Sequence, residues 1–262
     1  MRLSISNIAW TAAKDEPVYG IMKRLGFEGL EIAPTRIIPQ EPYRHLKEIY
    51  SWKTELEKKY GFLVPSMQSI WFGRKELVFG NAAERNALIE YTKKAIDFAA
   101  TIRCKNLVFG NPKNRNLQNP GNESIALDFF KTIGEYAAEK GTAIGMEANP
   151  TIYNTNFIND TASAIDLIRQ VNSKGFLLNL DAGTMIANGE SVDVLCGAEN
   201  LINHVHISEP FLKPIEHRTL HKDLENFLRE MNYQGFVSIE MGTQENVDVV
   251  EQAMDYVKGV FA

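Results

Sequence analysis

The sequence has few cysteines, no long hydrophobic run and no basic cluster. Only Cys104 and Cys196 occur among its 262 residues. Because neither belongs to a CxxC pair, we expect both to be small buried side chains without redox or nucleophilic chemistry. No apolar stretch approaches the roughly 20 residues that cross a membrane, and residues 1–10 are too polar for a signal peptide. These absences predict a cytoplasmic protein that does not contact a membrane.

The charged residues are distributed as in an ordinary globular protein. The formal net charge is −5, and no group of Lys and Arg forms the basic footprint of a nucleic-acid-binding protein. The run 53–59 (KTELEKK) mixes both signs, which is typical of a solvated helix face. Hydrophobic residues make up 44% of the chain and no Ser/Gly-rich linker interrupts it. We therefore predict one domain that spans residues 1–262.

Short apolar stretches that end in turn residues alternate with segments of helical periodicity. The segments 42–60, 82–101 and 123–140 have apolar residues three and four positions apart, as a helix that covers a sheet requires. Helix starts are predicted at 159–161 (NDT) and 243–245 (TQE). The alternation predicts an α/β fold, a single (β/α)₈ TIM barrel; an open doubly wound sheet is the alternative, without a GxGxxG or P-loop to support it. The eight predicted strands are 3–10, 29–34, 63–72, 105–110, 143–148, 176–181, 203–208 and 235–240.

Four polar residues stand at the outgoing ends of four successive predicted strands. They are Glu147, Asp181, His206 and Glu240, separated by 34, 25 and 34 positions. Parallel strands would bring all four to one end of the sheet. Three carboxylates and an imidazole suit one divalent metal ion, which could be Mn, Mg, Co or Zn. His204 lies two residues before His206, and we expect it to be a barrel-interior or supporting residue rather than a ligand.

The segments GMEANP, LNLDAGT, HVHISEP and VSIEMG, with FEGLEIAP and SMQSIWFG before them, resemble the xylose isomerase-like TIM-barrel superfamily. This superfamily includes sugar isomerases, ketose 3-epimerases, hydroxypyruvate isomerases, inosose dehydratases and endonuclease IV. The resemblance covers nearly the whole chain. It implies a barrel that holds one divalent metal ion through Glu147, Asp181, His206 and Glu240. It also implies that Glu147 and Glu240 are the catalytic proton-transfer pair.

The sequence departs from ketose 3-epimerases at two places. Those enzymes usually carry a His three residues after the metal-ligating Asp, where Thr184 stands, and an Arg shortly after the His strand, where residues 211–213 (FLK) stand. Glu209 matches the Glu that follows their metal-ligating His. Endonuclease IV-like enzymes need more His ligands and a basic surface, whereas this chain has five His and a net charge of −5.

Other polar residues lie at or just beyond strand ends, where amides and carboxylates could bind sugar hydroxyls and an indole could stack on a sugar. Trp71 could equally be a packing residue, and Arg115 a solvated loop residue. The loop after the seventh strand contains a cationic cluster, which consists of Glu209, Lys213, His217, Arg218 and His221. This cluster could bind a phosphate or carboxylate, cap a helix or contact another subunit. The candidate substrate-binding residues are Glu31, Gln68, Trp71, Asn111, Arg115, Asn149, Glu209, Lys213 and His217.

The predicted function is that of a metal-dependent isomerase or epimerase of a small sugar, sugar phosphate or sugar acid. A base removes a proton beside a carbonyl, and the metal stabilises the resulting enediolate. Alternatives are an inosose-type dehydratase or a lyase on the same site, an endonuclease IV-like nuclease, and a non-catalytic sugar-binding barrel. The complete ligand set favours an enzyme. A homo-oligomer is compatible with the sequence, which does not determine the oligomeric state.

Overall fold

Eight parallel strands form the centre of the protein. The computed structural model describes residues 1–119 and 121–262. The strands pair in the order β2-β1-β8-β7-β6-β5-β4-β3. Parallel bridges from Gly29 to Leu63 and from Ile32 to Met67 join β2 to β3 and close the ring. The predicted single (β/α)₈ barrel is therefore confirmed. The strands are β1 Arg2–Ser6, β2 Gly29–Glu31, β3 Ser66–Met67, β4 Asn106–Phe109, β5 Ile144–Met146, β6 Phe176–Asp181, β7 Ile202–Ser208 and β8 Phe236–Glu240.

The predicted strands in the second half of the barrel match the observed ones more closely than those in the first half. The prediction 176–181 coincides with β6, whereas 63–72 contains a strand of only two residues. The prediction 3–10 was too long because Asn7–Ala9 forms a 3-10 turn. Asn7 is fully buried there, and its Oδ1 accepts a hydrogen bond of 2.9 Å from the backbone N–H of Ala33. A side chain that satisfies a neighbouring backbone group in this way ends the regular ladder.

Nine helices are described around the strands. The prediction 82–101 coincides with α4, whose capping box joins Asn81 and Glu84. The helix predicted from residue 42 begins at Leu46, because residues 42–44 form a separate turn. The predicted start at 243–245 was wrong, because α9 begins later with Asn246 as its N-cap. The helices are α1 Asp15–Leu25, α2 Pro34–Ile37, α3 Leu46–Tyr60, α4 Ala82–Thr101, α5 Glu123–Glu139, α6 Thr161–Val171, α7 Ala182–Asn188, α8 Thr219–Glu230 and α9 Val247–Phe261.

The interior of the barrel is unusually polar. TIM barrels normally fill this space with branched apolar side chains, but here buried serines, asparagines and histidines point inward. Asn106 Nδ2 donates to Ser66 Oγ and to Asn179 Oδ1, both at 3.0 Å. Such hydrogen bonds offset the cost of burying the polar groups. The apolar core lies instead between the sheet and the helices.

The two cysteines differ in their surroundings. Cys104 is buried, as predicted, and burial raises the pKa of its thiol to about 12. Cys196 is exposed, so the expectation of burial was wrong for this residue. The adjacent Leu195 is fully buried and provides the apolar contact of that turn. Within residues 1–119 and 121–262, none of the helices has the length and apolar character needed to cross a membrane.

Candidate metal centre

The ends of four strands bring together the four residues that the sequence singled out. Glu147 follows β5, Asp181 and Glu240 end β6 and β8, and His206 lies near the end of β7. Each offers one ligand atom, and these atoms all lie within 4.8 Å of one another. His206 Nδ1 is 3.0 Å from Glu147 Oε1 and 3.3 Å from Glu240 Oε2. Each of four adjacent parallel strands therefore contributes one residue to a compact group of four donors.

The electrostatics of this group favour a bound cation. Glu147 and Glu240 are buried and Asp181 is half-buried. Burial raises the pKa of all three carboxyl groups, and repulsion from a neighbouring carboxylate raises each further. Three acidic groups at such short range are unfavourable without a positive counter-charge. Oxygen donors with one imidazole are the ligands that Mn, Mg, Co or Zn accept, so the residues present fit one divalent ion.

Glu31 lies behind His206, inside the barrel. Its Oε2 is 3.0 Å from Nε2 of His206 and 3.0 Å from Nε2 of His204. Burial acts to raise the pKa of Glu31, but the two imidazoles outweigh it and hold this pKa well below its ordinary value. Conversely, the neighbouring carboxylates raise the pKa of His206 well above its usual value despite burial, whereas burial lowers the pKa of His204.

This arrangement favours a role for Glu31 that differs from the predicted one. Its carboxylate is fully buried and its Oε2 lies against two imidazoles, which favours support of His206 over contact with a substrate. A carboxylate that accepts from the far nitrogen of a ligating His fixes the tautomer and orientation of the ring. Glu31 thus directs Nδ1 of His206 towards the other three donors. His204 also contacts Glu31, and Glu31, His204 and His206 form a second group whose donor atoms lie within 4.8 Å of one another; a supporting role for His204 stays a prediction.

Three further residues hold the candidate ligands in place. Asn179 Nδ2 donates to Glu147 Oε1 at 2.9 Å. Ser208 Oγ donates to Asp181 Oδ1. Thr184 donates to Asp181 Oδ2 from its backbone N–H at 2.7 Å and from Oγ1 at 2.9 Å. In the sequence, Thr184 stands out only as a departure from ketose 3-epimerases. Asn179 and Ser208 are not among the predicted site residues, although strand alternation places Asn179 on the same face as Asp181.

Three of the candidate substrate-binding residues lie beside the four donors or at the adjoining strand ends. Asn149 Nδ2 is 3.4 Å from Glu147 Oε2, and its Oδ1 has no partner among the described residues. Gln68 Nε2 donates to Ser6 Oγ at 2.7 Å. Asn111 follows β4 in a left-handed conformation with φ of 45° and is half-buried. Asn149 offers a free acceptor for a hydroxyl group.

Trp71 and Arg115 do not fit their predicted substrate contacts. Trp71 is 1% exposed, packs against Phe109 with a centroid distance of 4.7 Å, and donates from its indole to Thr92 Oγ1 at 2.8 Å. It is a core residue, because α4 covers it. Arg115 is fully buried and donates to the carbonyl of Glu147 at 2.8 Å. Burial lowers the pKa of its guanidinium to about 9. Arg115 therefore supports the backbone of a candidate ligand and is neither solvated nor open to a substrate.

A family model described as xylose isomerase-like TIM barrel matches residues 20–260. The chain belongs to this family. No curated protein matches it closely enough in sequence to count as a relative. The membership agrees with the resemblance seen in the strand-end segments.

Solved structures share the fold of this xylose isomerase-like barrel at low identity. D-psicose 3-epimerase from Clostridium cellulolyticum H10, solved with D-tagatose, has a TM-score of 0.80 and 15% identity over 100% of this chain and 99% of that chain. The 3-keto-D-glucoside 4-epimerase of E. coli has a TM-score of 0.78 and 19% identity over 99% of both chains. A family 2 AP endonuclease from Brucella melitensis has a TM-score of 0.74 and 18% identity over 98% of both chains. At these identities the likeness establishes the fold.

The loop after β7 of this xylose isomerase-like barrel does not form the predicted cationic cluster. Arg218 donates to both oxygens of Glu209, at 3.0 and 2.6 Å. His217 stacks on Tyr256 with a centroid distance of 4.0 Å, and His221 Nδ1 lies 3.0 Å from the Tyr256 hydroxyl. Glu209 is thus paired with Arg218, and one face of the His217 ring is covered by Tyr256; substrate binding by these two residues stays a prediction. The contacts of His217 and His221 with Tyr256 join this loop to α9. Lys213 and His217 are exposed, and neither forms an ion pair with an acid among the described residues.

Proposed function

We propose that this protein is a divalent-metal-dependent epimerase or isomerase of a small sugar. The observation that carries the proposal is the meeting of Glu147, Asp181, His206 and Glu240 at one end of the barrel, with their ligand atoms within 4.8 Å. Two sugar epimerases have the same fold over nearly their whole length. A fold can carry different reactions, so the argument for chemistry depends on the site.

The two glutamates are placed to handle protons on different sides of a substrate. Two strands, β6 and β7, separate β5 from β8 in the sheet, so Glu147 and Glu240 approach the centre from different directions. Glu147 removes the proton from the carbon beside the carbonyl, and Glu240 returns a proton from the other side. The same pair could act in the reverse sense. Return to the opposite face of the same carbon gives epimerisation, and return to the neighbouring carbon gives isomerisation.

The remaining residues hold this pair and the substrate. A bound divalent ion supplies a Lewis acid that polarises adjacent substrate oxygens and stabilises negative charge. Asn179 fixes the Glu147 carboxylate through its 2.9 Å hydrogen bond, and Arg115 fixes the Glu147 backbone. Asn149 accepts a substrate hydroxyl at its free Oδ1. Residues held in this way keep the reacting atoms aligned.

The environment favours an uncharged sugar over a sugar phosphate. Among the described residues of the loop after β7, Arg218 is neutralised by Glu209 and Glu216. His217 and His221 pack against Tyr256. A phosphate binds most strongly to free Arg or Lys donors in a fixed geometry. Lys213 is exposed, and a single exposed lysine is a weak phosphate site.

Deuterium exchange tests the proposal. The protein is loaded with Mn²⁺ and incubated with ketohexoses and ketopentoses in D₂O, and incorporation beside the carbonyl is followed by NMR and mass spectrometry. We expect Glu147→Gln and Glu240→Gln to reduce the exchange rate by about 10²- to 10⁴-fold. Glu245→Gln is the matched control, because Glu245 is an exposed carboxylate just beyond β8. Full exchange in either site variant would refute the assignment of Glu147 and Glu240 as the proton-transfer pair. A product that is lighter than the substrate by one water molecule would identify a dehydratase.

A further inference from the structure

The end of the barrel opposite the candidate metal centre contains a cavity of about 450 Å³. It is formed where the strands begin rather than where they end, and we call it the basal cavity. Residues at or just before the starts of β1, β3, β4, β7 and β8 line it, among them Arg2, Pro65, Asn106, His204 and Phe236. A volume of this size lies within the range of about 300 to 1,000 Å³ that is typical of small-molecule sites.

The lining of the basal cavity is amphipathic and positively charged. Val64, Pro65, Ile102 and Phe236 provide apolar surface. The charged residues around it are Arg2, Lys53, Arg103 and Lys105, with Glu57 as the single acid. The local formal charge is thus +3, in a chain whose net charge is −5. A cavity of one sign concentrates ligands of the other sign.

Two of these four cations form no ion pair with an acid in the described part of the chain. Arg2 pairs with Glu28 at 2.8 Å, and Lys53 pairs with Glu57. Lys105 Nζ donates to the carbonyl of Gly141 at 2.9 Å, which leaves its charge uncompensated. Arg103 forms no ion pair within 4.0 Å among residues 1–119 and 121–262, although after Lys53 it also helps to lower the pKa of Glu57, and it is exposed at the cavity rim. These two side chains could bind a carboxylate.

His204 connects the basal cavity to the interior of the barrel. It lines the cavity and is 2% exposed. The hydrogen bond described for it uses Nε2, which lies 3.0 Å from Glu31 Oε2. Nδ1 is therefore available to a polar atom of a ligand. A ligand in contact with His204 is two hydrogen bonds away from His206, the candidate metal ligand.

We propose that the basal cavity binds a small organic carboxylate with an apolar body. The alkyl or aryl part covers the surface formed by Val64, Pro65 and Phe236, and the carboxylate lies between Arg103 and Lys105. The site is separate from the candidate metal centre and does not depend on the function proposed for it. A strongly polar ligand such as a free sugar would leave the apolar wall without a partner.

Hexanoate is a suitable probe, and hexanamide is its uncharged counterpart. Titrations of ¹⁵N-labelled protein are followed by backbone amide shifts. For hexanoate we expect saturable binding with a dissociation constant on the order of a few millimolar, as befits so small a ligand. The shifted amides should cluster at residues 63–64, 103–106, 203–204 and 235–236. Hexanamide should bind at least about fivefold more weakly, and added salt should weaken hexanoate binding.

A double variant separates charge recognition from a merely apolar cavity. Arg103→Asn with Lys105→Gln should weaken hexanoate binding at least about fivefold; asparagine tolerates the left-handed backbone at residue 103, where φ is 59°. Lys23→Gln with Lys258→Gln removes the same charge from exposed positions on α1 and α9 and should leave binding unchanged. The proposal is overturned by equal binding of hexanamide and hexanoate, by unchanged binding in the first double variant, by shifts at the metal-centre end, or by the absence of saturation.

Discussion

Metal binding should raise the thermal stability of this protein by an amount that depends on Asp181. In the metal-free protein, Glu147, Asp181 and Glu240 lie close together, and burial and carboxylate repulsion raise the pKa of each, although His206 acts in the opposite direction. A divalent ion relieves this repulsion in the folded state only. The gain at a metal concentration of one hundred times the dissociation constant is about 2.7 kcal/mol. For a chain of this size that corresponds to a rise in Tm of about 5 to 11 °C.

Asp181→Asn is the informative perturbation because it removes a ligand while preserving the local structure. Asp181 is the N-cap of α7 and accepts from the backbone N–H of Thr184 at 2.7 Å. Asparagine caps helices about as well as aspartate. The metal-free variant should therefore be at least as stable as the metal-free wild type, since one of three neighbouring negative charges is gone. The stabilisation by metal should fall below about 1 kcal/mol, because a carboxylate ligand is missing.

Asp160→Asn provides the matched control. Asp160 is the N-cap of α6 and accepts from the backbone N–H of Ser163 at 2.7 Å, but it does not belong to the ligand group. This variant should keep the full metal-dependent rise in Tm. The assay is thermal unfolding by calorimetry, in chelator and in Mn²⁺, Mg²⁺, Co²⁺ or Zn²⁺, with metal content determined by elemental analysis. The reasoning is refuted if none of the four ions shifts the Tm of the wild type, or if Asp181→Asn retains the full shift.

Three further predictions concern residues around the site. Glu31→Gln should weaken metal binding about 10- to 100-fold, measured by metal titration, because the orientation of His206 is lost; unchanged affinity would contradict this role. Trp71→Phe should lower the free energy of unfolding by about 1 to 2 kcal/mol through loss of the bond to Thr92, with kcat/KM unchanged; a tenfold loss of kcat/KM would restore Trp71 as a substrate contact. Burial, helped by Arg218 and His217, lowers the pKa of His221 to about 4. Since this lies below the unfolded value near 6.5, stability should fall by up to about 2 kcal/mol from pH 7 to pH 5. In His221→Gln this loss should be smaller in urea unfolding, and an equal loss would assign the pH dependence to other groups.

The sequence predicted the barrel well where local pattern and tertiary structure agree. In β6 the last four residues of FLLNLD alternate between apolar and polar, and Asp181 caps the next helix. The sequence pattern, the helix cap and the observed strand therefore agree. In β3 they do not coincide: the apolar run 63–72 was predicted as one strand, but only Ser66–Met67 pairs as such, and Ile70 and Trp71 are buried outside the strand. An apolar run indicates that its residues are buried. Composition alone does not distinguish residues buried in a strand from residues buried beneath a helix.

The same distinction explains which site residues could be predicted. The four candidate ligands were found because topology alone places the outgoing ends of parallel strands together. The residues around them depend on contacts between distant segments. Glu31 faces two imidazoles that are 173 and 175 positions away in the chain, and Arg218 is neutralised by Glu209 across a loop of no regular pattern. Strand position predicts that a polar residue is near a site; only its partners determine whether it contacts a substrate, orients a ligand or supports the backbone. Their partners favour Glu31 and Arg115 as supports of His206 and Glu147 over substrate contacts, and the four predicted ligands lie in one group.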